Sequence, residues 1–271
     1  MRTTHTAGRI EWRDGIARRG ERELAEESAV AISYNGSTHA VLMATPADLE
    51  DLAIGFSLTE GIVETTTAVE GIDVVPFDEG FDVQVRVRDD VAERLAKRRR
   101  SMAGPVGCGL CGLESLEAAT RKLAPVTATV TFTTGDVASA MRSMPAHQVL
   151  NRATSAAHAA GFFLPGRDVG VVREDVGRHN ALDKLIGALF RDGQNPADGG
   201  IVVTSRVSVE LVQKTAVAGS GLIAAISAPT AYAVRTGEET NVTIVAVVRD
   251  DAFEVFTHAS RITPGAVSDV A

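Results

Sequence analysis

The only two cysteines of the chain, Cys108 and Cys111, form a C-x-x-C within the segment GPVGCGLCGLESL. Such a pair can supply half of a zinc site, act as a redox dithiol, or carry sulfur on a nucleophilic thiol. Structural zinc needs about four ligands, and zinc deaminases add an H-x-E that none of the six histidines provides. We therefore predict no metal ligands, apart from a zinc site shared between subunits, and leave redox and sulfur-transfer chemistry open.

Glycines surround the two thiols on both sides, at positions 104, 107, 109 and 112. They give the backbone freedom to swing or to pass close to a large ligand. A redox dithiol benefits from a rigid scaffold, whereas a carrier that receives sulfur at one site and delivers it at another benefits from a moving loop. The glycines thus predict a mobile cysteine loop over about 97–112 and disfavour two inert, buried cysteines. The KRRR run and a following helix start would favour the thiolate.

A second cluster, EDVGRHN (174–180), precedes a helix with an apolar stripe of leucines and isoleucine. That stripe predicts that Arg178, His179, Asp183 and Lys184 lie mainly off the core, and the i, i+4 spacing lets His179 hydrogen-bond Asp183. Gly177 and the helix start would hold an anion, with Arg178 closing on a phosphate. A capped helix with solvated charges explains the same residues equally well.

Two more polar clusters, Thr204-Ser205-Arg206 and Ser227–Thr230, each follow an apolar strand and precede a helix. Ligands of open α/β sheets bind beyond the carboxyl ends of the strands, so the two clusters could share one pocket for a phosphate. Helix capping alone would also place serine and threonine there. The chain has no P-loop and no G-x-G-x-x-G, so the ordinary nucleotide motifs are missing.

The elements that must position these clusters change character near residue 135. Before residue 135, the sequence predicts strands in which apolar and polar residues alternate, an Asn35-Gly36 turn and a helix over Pro46–Glu60. These elements predict an α+β domain (1–134) that carries the cysteine loop. After it, short apolar strands separated by helices predict an α/β cofactor-binding domain (135–271) built as a three-layer sandwich. Its predicted helices include Gln148–Ala160, and a strand over Val126–Thr133 precedes the boundary.

Composition narrows the class of protein. Hydrophobic residues at 45% and charged residues at 23% are typical of a soluble globular chain. No apolar run of about 18 residues exists and the N-terminus lacks an apolar signal core, so we expect a cytoplasmic protein without a membrane span. The net charge of −8 argues against a general nucleic-acid binder.

Five segments resemble, in the same order, those of the formate dehydrogenase accessory sulfurtransferase family (FdhD): ATPADLEDLAIGF, GPVGCGLCGLESL, EDVGRHNALDKLIG, TSRVSVELVQK and SAPTAYAV. They spread from about residue 44 to 234, which is most of the chain. The resemblance implies a carrier that takes sulfur from a cysteine desulfurase as a cysteine persulfide. It would pass that sulfur to the molybdenum (or tungsten) bis-guanylyl-pterin cofactor that formate dehydrogenase needs. The larger domain would be similar to a cytidine-deaminase-type fold without its zinc.

By position, the resemblance makes Cys108 the persulfide-bearing residue and Cys111 its helper. It places the cofactor contact at Ile226, Ser227, Ala228, Pro229, Thr230 and Ala231. From the strand and helix ends we add Arg178, His179 and Arg206 as cofactor-binding residues. A cofactor chaperone that carries no sulfur, or a zinc or redox dithiol protein, is the alternative. A homodimer, common among α/β proteins of this size, would pair two cofactor pockets.

Two positions depart from the family pattern. Many members carry a cysteine directly before the T-P of the first motif, where this chain has Ala44, so no role of that cysteine can operate here. After S-A-P-T the family usually continues with a different short sequence, and here Ala231 and Tyr232 follow. The second departure bears on the details of cofactor contact.

Overall fold

The computed structural model describes residues 1–102 and 122–264, with the side chains of residues 98–102 outside that description. Its first element is a ribbon of two antiparallel strands, β1 (Thr4–Arg13) and β2 (Ile16–Ala25). The turn residues Asp14 and Gly15 both have positive φ, as a two-residue hairpin turn requires. Residues 1–27 mix both charge signs without a clear period in the sequence, so the ribbon is a finding of the structure.

A four-stranded sheet follows, in the order β4-β3-β6-β5. Its strands are β3 (Ser28–Tyr34), β4 (Ser37–Ala44), β5 (Val69–Phe77) and β6 (Gly80–Val87). The predicted turn at Asn35-Gly36 is confirmed, since both residues have positive φ. On one face of the sheet, Ile32 and Val83 are 0% exposed and lie in the same core as helix α1 (Leu49–Thr59), the helix expected after Pro46.

Helix α2 (Asp89–Met102) corrects the predicted start of the cysteine loop. Residues 97–102 belong to this helix, whose acidic first turn, Asp89 and Asp90, complements the helix dipole. The KRRR run therefore lies within a helix and does not open a loop. Cys108 and Cys111 lie outside the described residues.

A six-stranded mixed sheet forms the second half, in the order β13-β12-β11-β10-β8-β9. Its strands are β8 (His158–Phe163), β9 (Val171–Asp175), β10 (Gly200–Val203), β11 (Leu222–Ala225), β12 (Thr243–Arg249) and β13 (Ala252–Val255). A small parallel pair, β7 (Phe132–Thr133) and β14 (Ile262–Thr263), stands apart from it. The helices are α3 (Thr134–His147), α4 (Val149–Thr154), α5 (Arg178–Arg191), α6 (Val209–Ala218) and α7 (Ala231–Thr240).

Helices cover both faces of this sheet, which confirms a mixed α/β architecture. Met141 and Met144 of α3 share one buried cluster with Phe163 and Val202 of the sheet. Buried residues of α5, α6 and α7 share the other cluster with the opposite face of the sheet and with α1. The likeness to a cytidine-deaminase-type fold stays a prediction.

Two predicted elements are wrong in part. The helix expected over Gln148–Ala160 ends at Thr154, because Ser155 turns the backbone into the left-handed region. The apolar residues that follow form β8, which lies between β10 and β9 and is buried on both faces. The strand expected over Val126–Thr133 is limited to its last two residues, since Val126 N bonds the end of α7 at the Thr240 carbonyl.

Helices α1 and α5 connect the two halves of the chain, and the backbones of the two helices are in close contact. A Cβ at Gly55 would lie 1.8 Å from the Asp183 carbonyl oxygen, and one at Gly187 would lie 1.9 Å from that of Asp51. Glycine is therefore required at both positions for this antiparallel crossing. The core is shared across the predicted boundary at 134/135, and the division into two domains stays a prediction. Within the described residues, no helix is long and apolar enough to cross a membrane.

Candidate functional site: the carboxyl edge of the six-stranded sheet

Three strand-to-helix connections meet at one edge of the large sheet. Strands β9, β10 and β11 run in the same direction and end at Asp175, Val203 and Ala225. Each is followed directly by a helix, so the N-termini of α5, α6 and α7 all lie at this edge. Backbone N–H groups and helix dipoles at such an edge favour anions.

The connections after β10 and β11, here called the 204–208 loop and the 226–230 loop, are bonded to each other. Val207 N donates to the Ala228 carbonyl at 3.4 Å, and Thr230 N donates to the Val207 carbonyl at 3.0 Å. Val207 and Pro229 thereby form a parallel bridge outside the sheet. The two polar clusters recognised in the sequence are thus neighbours.

In the 226–230 loop, some residues are exposed to solvent and one caps a helix. Ser227 and Ala228 are exposed, as is Ala231 in the first turn of α7. Thr230 caps that helix, because its Oγ1 accepts a hydrogen bond from Ala233 N at 3.2 Å. The hydroxyl of Thr230 therefore has a structural role as a helix cap.

Ile226 lies at the start of this loop and is fixed by an arginine. Arg249 Nη1 donates to the Ile226 carbonyl oxygen at 2.5 Å and to that of Val248 at 2.7 Å. Both residues line a cavity of about 210 Å³ on the side of α3, together with Met141, Arg142, Val248 and Asp250. Sequence inspection did not single out Arg249, because it lies far along the chain in β12.

Arg178 has a buried hydrogen-bond donor at this edge that lacks a partner among the described residues. It is the first residue of α5, and its Nε is buried without a hydrogen-bond partner among the described residues. A buried N–H of a guanidinium left unpaired costs free energy, whereas an anionic oxygen would complete it with a charge-assisted bond. This unpartnered donor points to an anion at the edge.

Two histidines flank the arginine. His179 Nε2 lies 3.4 Å from Ser208 Oγ and 3.8 Å from a carboxylate oxygen of Glu210. Burial, and then the charge of Arg178, lower the pKa of His179 and of His158. Both rings are thus held neutral near pH 7 and can donate or accept a hydrogen bond.

Sequence inspection missed His158, which faces Asp175 in the register between β8 and β9. It lay inside a stretch assigned to a helix, and only the strand assignment brings it to the carboxyl edge. Arg206, by contrast, is placed as predicted in the 204–208 loop and is exposed. The structure therefore brings Arg178, His179 and Arg206 to the same edge as the 226–230 loop.

A fully buried ion pair supports the start of α5. Lys184 Nζ lies 2.7 Å from Asp175 Oδ2, and both side chains are 0% exposed. The same carboxylate accepts Thr45 N at 3.0 Å, Gly177 N at 2.7 Å and Asn180 Nδ2 at 3.0 Å. Burial lowers the pKa of Lys184, although Asp175 opposes it. The expectation that Lys184 lies off the core is wrong, because a carboxylate at the strand end provides its counter-charge.

A second buried network joins α5, α1 and α6. Lys214 Nζ donates to Asp183 Oδ2 at 2.9 Å, to Glu60 Oε1 at 2.8 Å and to Thr59 Oγ1 at 2.9 Å. Asp183 is 2% exposed, so the expectation that it lies off the core is also wrong. Its carboxylate pairs with Lys214 and Thr59, and the structure shows no bond to His179. Sequence spacing within one helix could not reveal a partner on another.

The arrangement has the chemistry of an anion-binding edge. It combines three helix N-termini, an unpartnered arginine donor, two neutral histidines and exposed loop backbone. Two buried ion pairs behind it hold α5 in place. Anionic oxygens are the groups that such donors recognise.

The chain is similar to one protein family and to relatives that share one name. The model of the FdhD/NarQ family matches residues 25–263. A protein of Agrobacterium fabrum named sulfur carrier protein FdhD is 52% identical over 251 residues, which cover 92% of this chain and 93% of that protein. One of the same name from Brucella abortus is 54% identical over 242 residues, covering 89% and 90%.

A solved structure has the same fold. The crystal structure described as a formate dehydrogenase accessory protein from Desulfotalea psychrophila matches with a TM-score of 0.77 at 23% identity. The match covers 97% of this chain and 100% of that one. The extent and identity of these matches show that the chain belongs to the FdhD/NarQ family.

Proposed function

We propose that this protein is a sulfur carrier that serves the maturation of formate dehydrogenase. It accepts sulfur from a cysteine desulfurase as a persulfide on Cys108 and transfers it to the molybdenum bis-guanylyl-pterin cofactor, its substrate. The names of relatives that are 52% and 54% identical over about nine-tenths of the chain support the carrier role. We further propose that the protein acts in the cytoplasm.

The proposed loading step is a thiol–persulfide exchange without net redox change. The Cys108 thiolate attacks the outer sulfur of the desulfurase persulfide, the old S–S bond breaks, and the desulfurase thiolate leaves. A new S–S bond on Cys108 holds the sulfur until delivery. Cys111 assists as the neighbouring thiol, for example by passing the sulfur within the loop.

The observation that carries the binding half of the proposal is the unpartnered Nε of Arg178. We place a diphosphate of the guanylyl groups against this donor and the N-terminus of α5. The 226–230 loop with Ala231, and the side chains of His179 and Arg206, contact the rest of the nucleotide. The charge of Arg178 supports this placement, since it acts on both neighbouring histidines.

Mass spectrometry tests the carrier half. After incubation with desulfurase and cysteine, we expect the protein to gain one sulfur atom that maps to Cys108. Cys108→Ala is expected to abolish the gain and to fail in restoring formate dehydrogenase activity to cells lacking the native protein. Cys111→Ala serves as the matched variant. Activity restored by Cys108→Ala would refute the proposal.

A cofactor chaperone that carries no sulfur is the second candidate. The anion-binding edge supports it, since none of the groups that we propose to bind the nucleotide is a thiol. It predicts that maturation survives Cys108→Ala combined with Cys111→Ala. Binding of guanosine diphosphate by that double variant is expected under both candidates, so only maturation separates them.

A further inference from the structure

Strand β12 contains a backbone conformation that valine rarely adopts. Val247 has a φ of +54°, in the left-handed region, where a β-branched side chain is strained. Strain of this kind persists only where the surrounding structure imposes it, and it is concentrated at functional sites. Val247 therefore marks a position at which β12 does more than pair with its neighbours.

The strained residue lies in a β-bulge. The register between β12 and β13 shifts between Ala246 and Arg249, so that two residues of β12 oppose one residue of β13. As a result Val248 lies in the same buried cluster as Val245, although residues three apart in a regular strand face opposite sides. A regular strand would turn Arg249 to that buried side. The bulge instead leaves Arg249 exposed at the end of the strand.

The bulge also lies where β12 stops pairing with β11, the strand that precedes the 226–230 loop. Their parallel register ends at Ala224 and Val245. Beyond it, Val247 N reaches the Ser227 carbonyl at 3.5 Å, which is longer than an ordinary hydrogen bond. The backbone of β12 therefore holds the loop only weakly.

The side chain of Arg249 replaces that backbone hold. Its Nη1 donates to the Ile226 carbonyl oxygen at 2.5 Å and to that of Val248 at 2.7 Å. On the other side, Ile226 N donates to the Val203 carbonyl of β10 at 3.3 Å. The first residue of the loop is thus fixed from both neighbouring strands, and the bridge to the 204–208 loop fixes its other end.

Arg249 makes these two bonds without a carboxylate partner. Within the described residues it forms no ion pair, whereas Arg142, which lines the same cavity, pairs with Asp251. Holding an exposed arginine side chain in one geometry costs conformational entropy. The bonds to the two carbonyl oxygens offset that cost, and their structural effect is to hold the loop.

Fixing the loop by its carbonyl groups leaves its amide donors available. In the described part of the chain, the N–H groups of Ser227 and Ala228 donate to no acceptor, and both residues are exposed. Pro229, which follows them, has no N–H. Successive backbone N–H groups can together bind an anionic oxygen, and they do so more tightly when their backbone is already held in place.

We propose that Arg249 is a positioning residue for cofactor binding, aimed at the Ile226 carbonyl by the bulge at Val247. This inference rests on the proposed binding of the guanylyl groups at the 226–230 loop. Arg249 holds the loop backbone and acts on the ligand through the free N–H groups of that loop. A loop that is held in its binding conformation loses less entropy when the ligand binds, so the affinity is higher.

Amide hydrogen exchange of the ligand-free protein tests the hold itself. In Arg249→Met we expect the Ile226 and Thr230 amides to exchange about 10-fold faster, since one strong hydrogen-bond donor is lost. Arg142→Met is the matched control: it removes an arginine from the same cavity, but its partner Asp251 is 86% exposed, so the pair contributes little. Exchange at both amides as slow in Arg249→Met as in the native protein would overturn the proposal.

Calorimetry with guanosine diphosphate tests the consequence for the ligand. We expect Arg249→Met to bind about 10-fold more weakly than the native protein and Arg142→Met to bind equally well. Arg249→Lys should recover part of the loss, because an ammonium group can also donate to two carbonyl oxygens. Val247→Gly should bind like the native protein, because glycine adopts the same φ without strain.

The outcomes separate this inference from the function on which it rests. Native affinity in Arg249→Met, or an Arg249→Lys variant as weak as Arg249→Met, would overturn the positioning role alone. A native protein that binds no guanosine diphosphate would overturn the proposed nucleotide site as well. Sulfur loading on Cys108 is expected to be unchanged in Arg249→Met, and a loss of loading would mean that Arg249 acts on the whole protein and not on the 226–230 loop.

Discussion

Replacing Lys214 with methionine would remove the cation that neutralises a buried carboxylate at the junction of three helices. Lys214 Nζ contacts Asp183, Glu60 and Thr59 at 2.8–2.9 Å. Methionine keeps the length of the side chain and removes only the charge and its three donors. The perturbation therefore isolates the ion pair from the packing around it.

The size of the effect follows from which partners are buried. The Asp183 side chain is 2% exposed and that of Lys214 is 9% exposed, whereas that of Glu60 is 45% exposed. An exposed pair contributes little, but a buried carboxylate left without its partner costs about 3–5 kcal/mol. We expect Lys214→Met to lower the free energy of unfolding by that amount, a large share of ordinary domain stability.

Urea denaturation followed by circular dichroism measures the change. Asp183→Asn combined with Lys214→Met provides the matched control, because it removes the stranded charge along with its partner. We expect the double variant to recover at least half of the loss. A Lys214→Met protein within about 1 kcal/mol of the native one would refute the reasoning, since it would mean that Asp183 is not dependent on Lys214.

The pH dependence gives a second check on the same carboxylate. Burial raises the pKa of Asp183 in the native protein, and Lys214 opposes the rise. In Lys214→Met the opposition is gone, so the folded state binds a proton above the unfolded pKa of about 3.9. The folded state then holds more protons in that window, and its stability increases as pH falls through it. The loss caused by Lys214→Met should shrink on acidification, and the double variant should not show this.

Three further outcomes are expected. Gly187→Ala should lower the free energy of unfolding by about 1–3 kcal/mol in denaturant titration, because its Cβ would meet the Asp51 carbonyl oxygen at 1.9 Å. Gly170→Ala is the control, since a Cβ there would meet no atom within 4 Å and should leave the free energy of unfolding nearly unchanged. Thr133→Ala should cost about 1 kcal/mol in the same assay, since it breaks the capping box that Thr133 and Asp136 form at the start of α3. Arg178→Met should weaken binding of guanosine diphosphate in calorimetry by about 10–100-fold without loss of stability; unchanged affinity would remove Arg178 from the site.

Local sequence patterns predicted most of the helices and strands near the candidate site, and mostly where each of them ends. The helix beginning at Arg178 and the strands ending before the two polar loops could be predicted because apolar period and turn residues are local signals. His158 was missed for the same reason. Its neighbours AAGFF suit a buried strand or a buried helix equally, and only pairing with β9 and β10 decides between them.

Charged residues show the limit of local signals more sharply. From the stripe of α5, Asp183 and Lys184 belong to the solvent side, yet both are buried. A second layer, α1 with the four-stranded sheet, covers that side of the helix, and Lys214 and Asp175 neutralise the two charges. The partners lie up to 31 residues away, so no helical spacing could indicate them.

The sequence by itself determined the chemistry of this protein: two thiols among glycines, arginines and hydroxyls at strand ends, and ordered motifs that identify its family. Those features are local, and each is recognisable from a few neighbouring residues. Only the tertiary structure decided which of them meet. The carboxyl edge assembles because parallel strands end together, and α1 approaches α5 closely because two glycines leave no side chains to keep the helices apart.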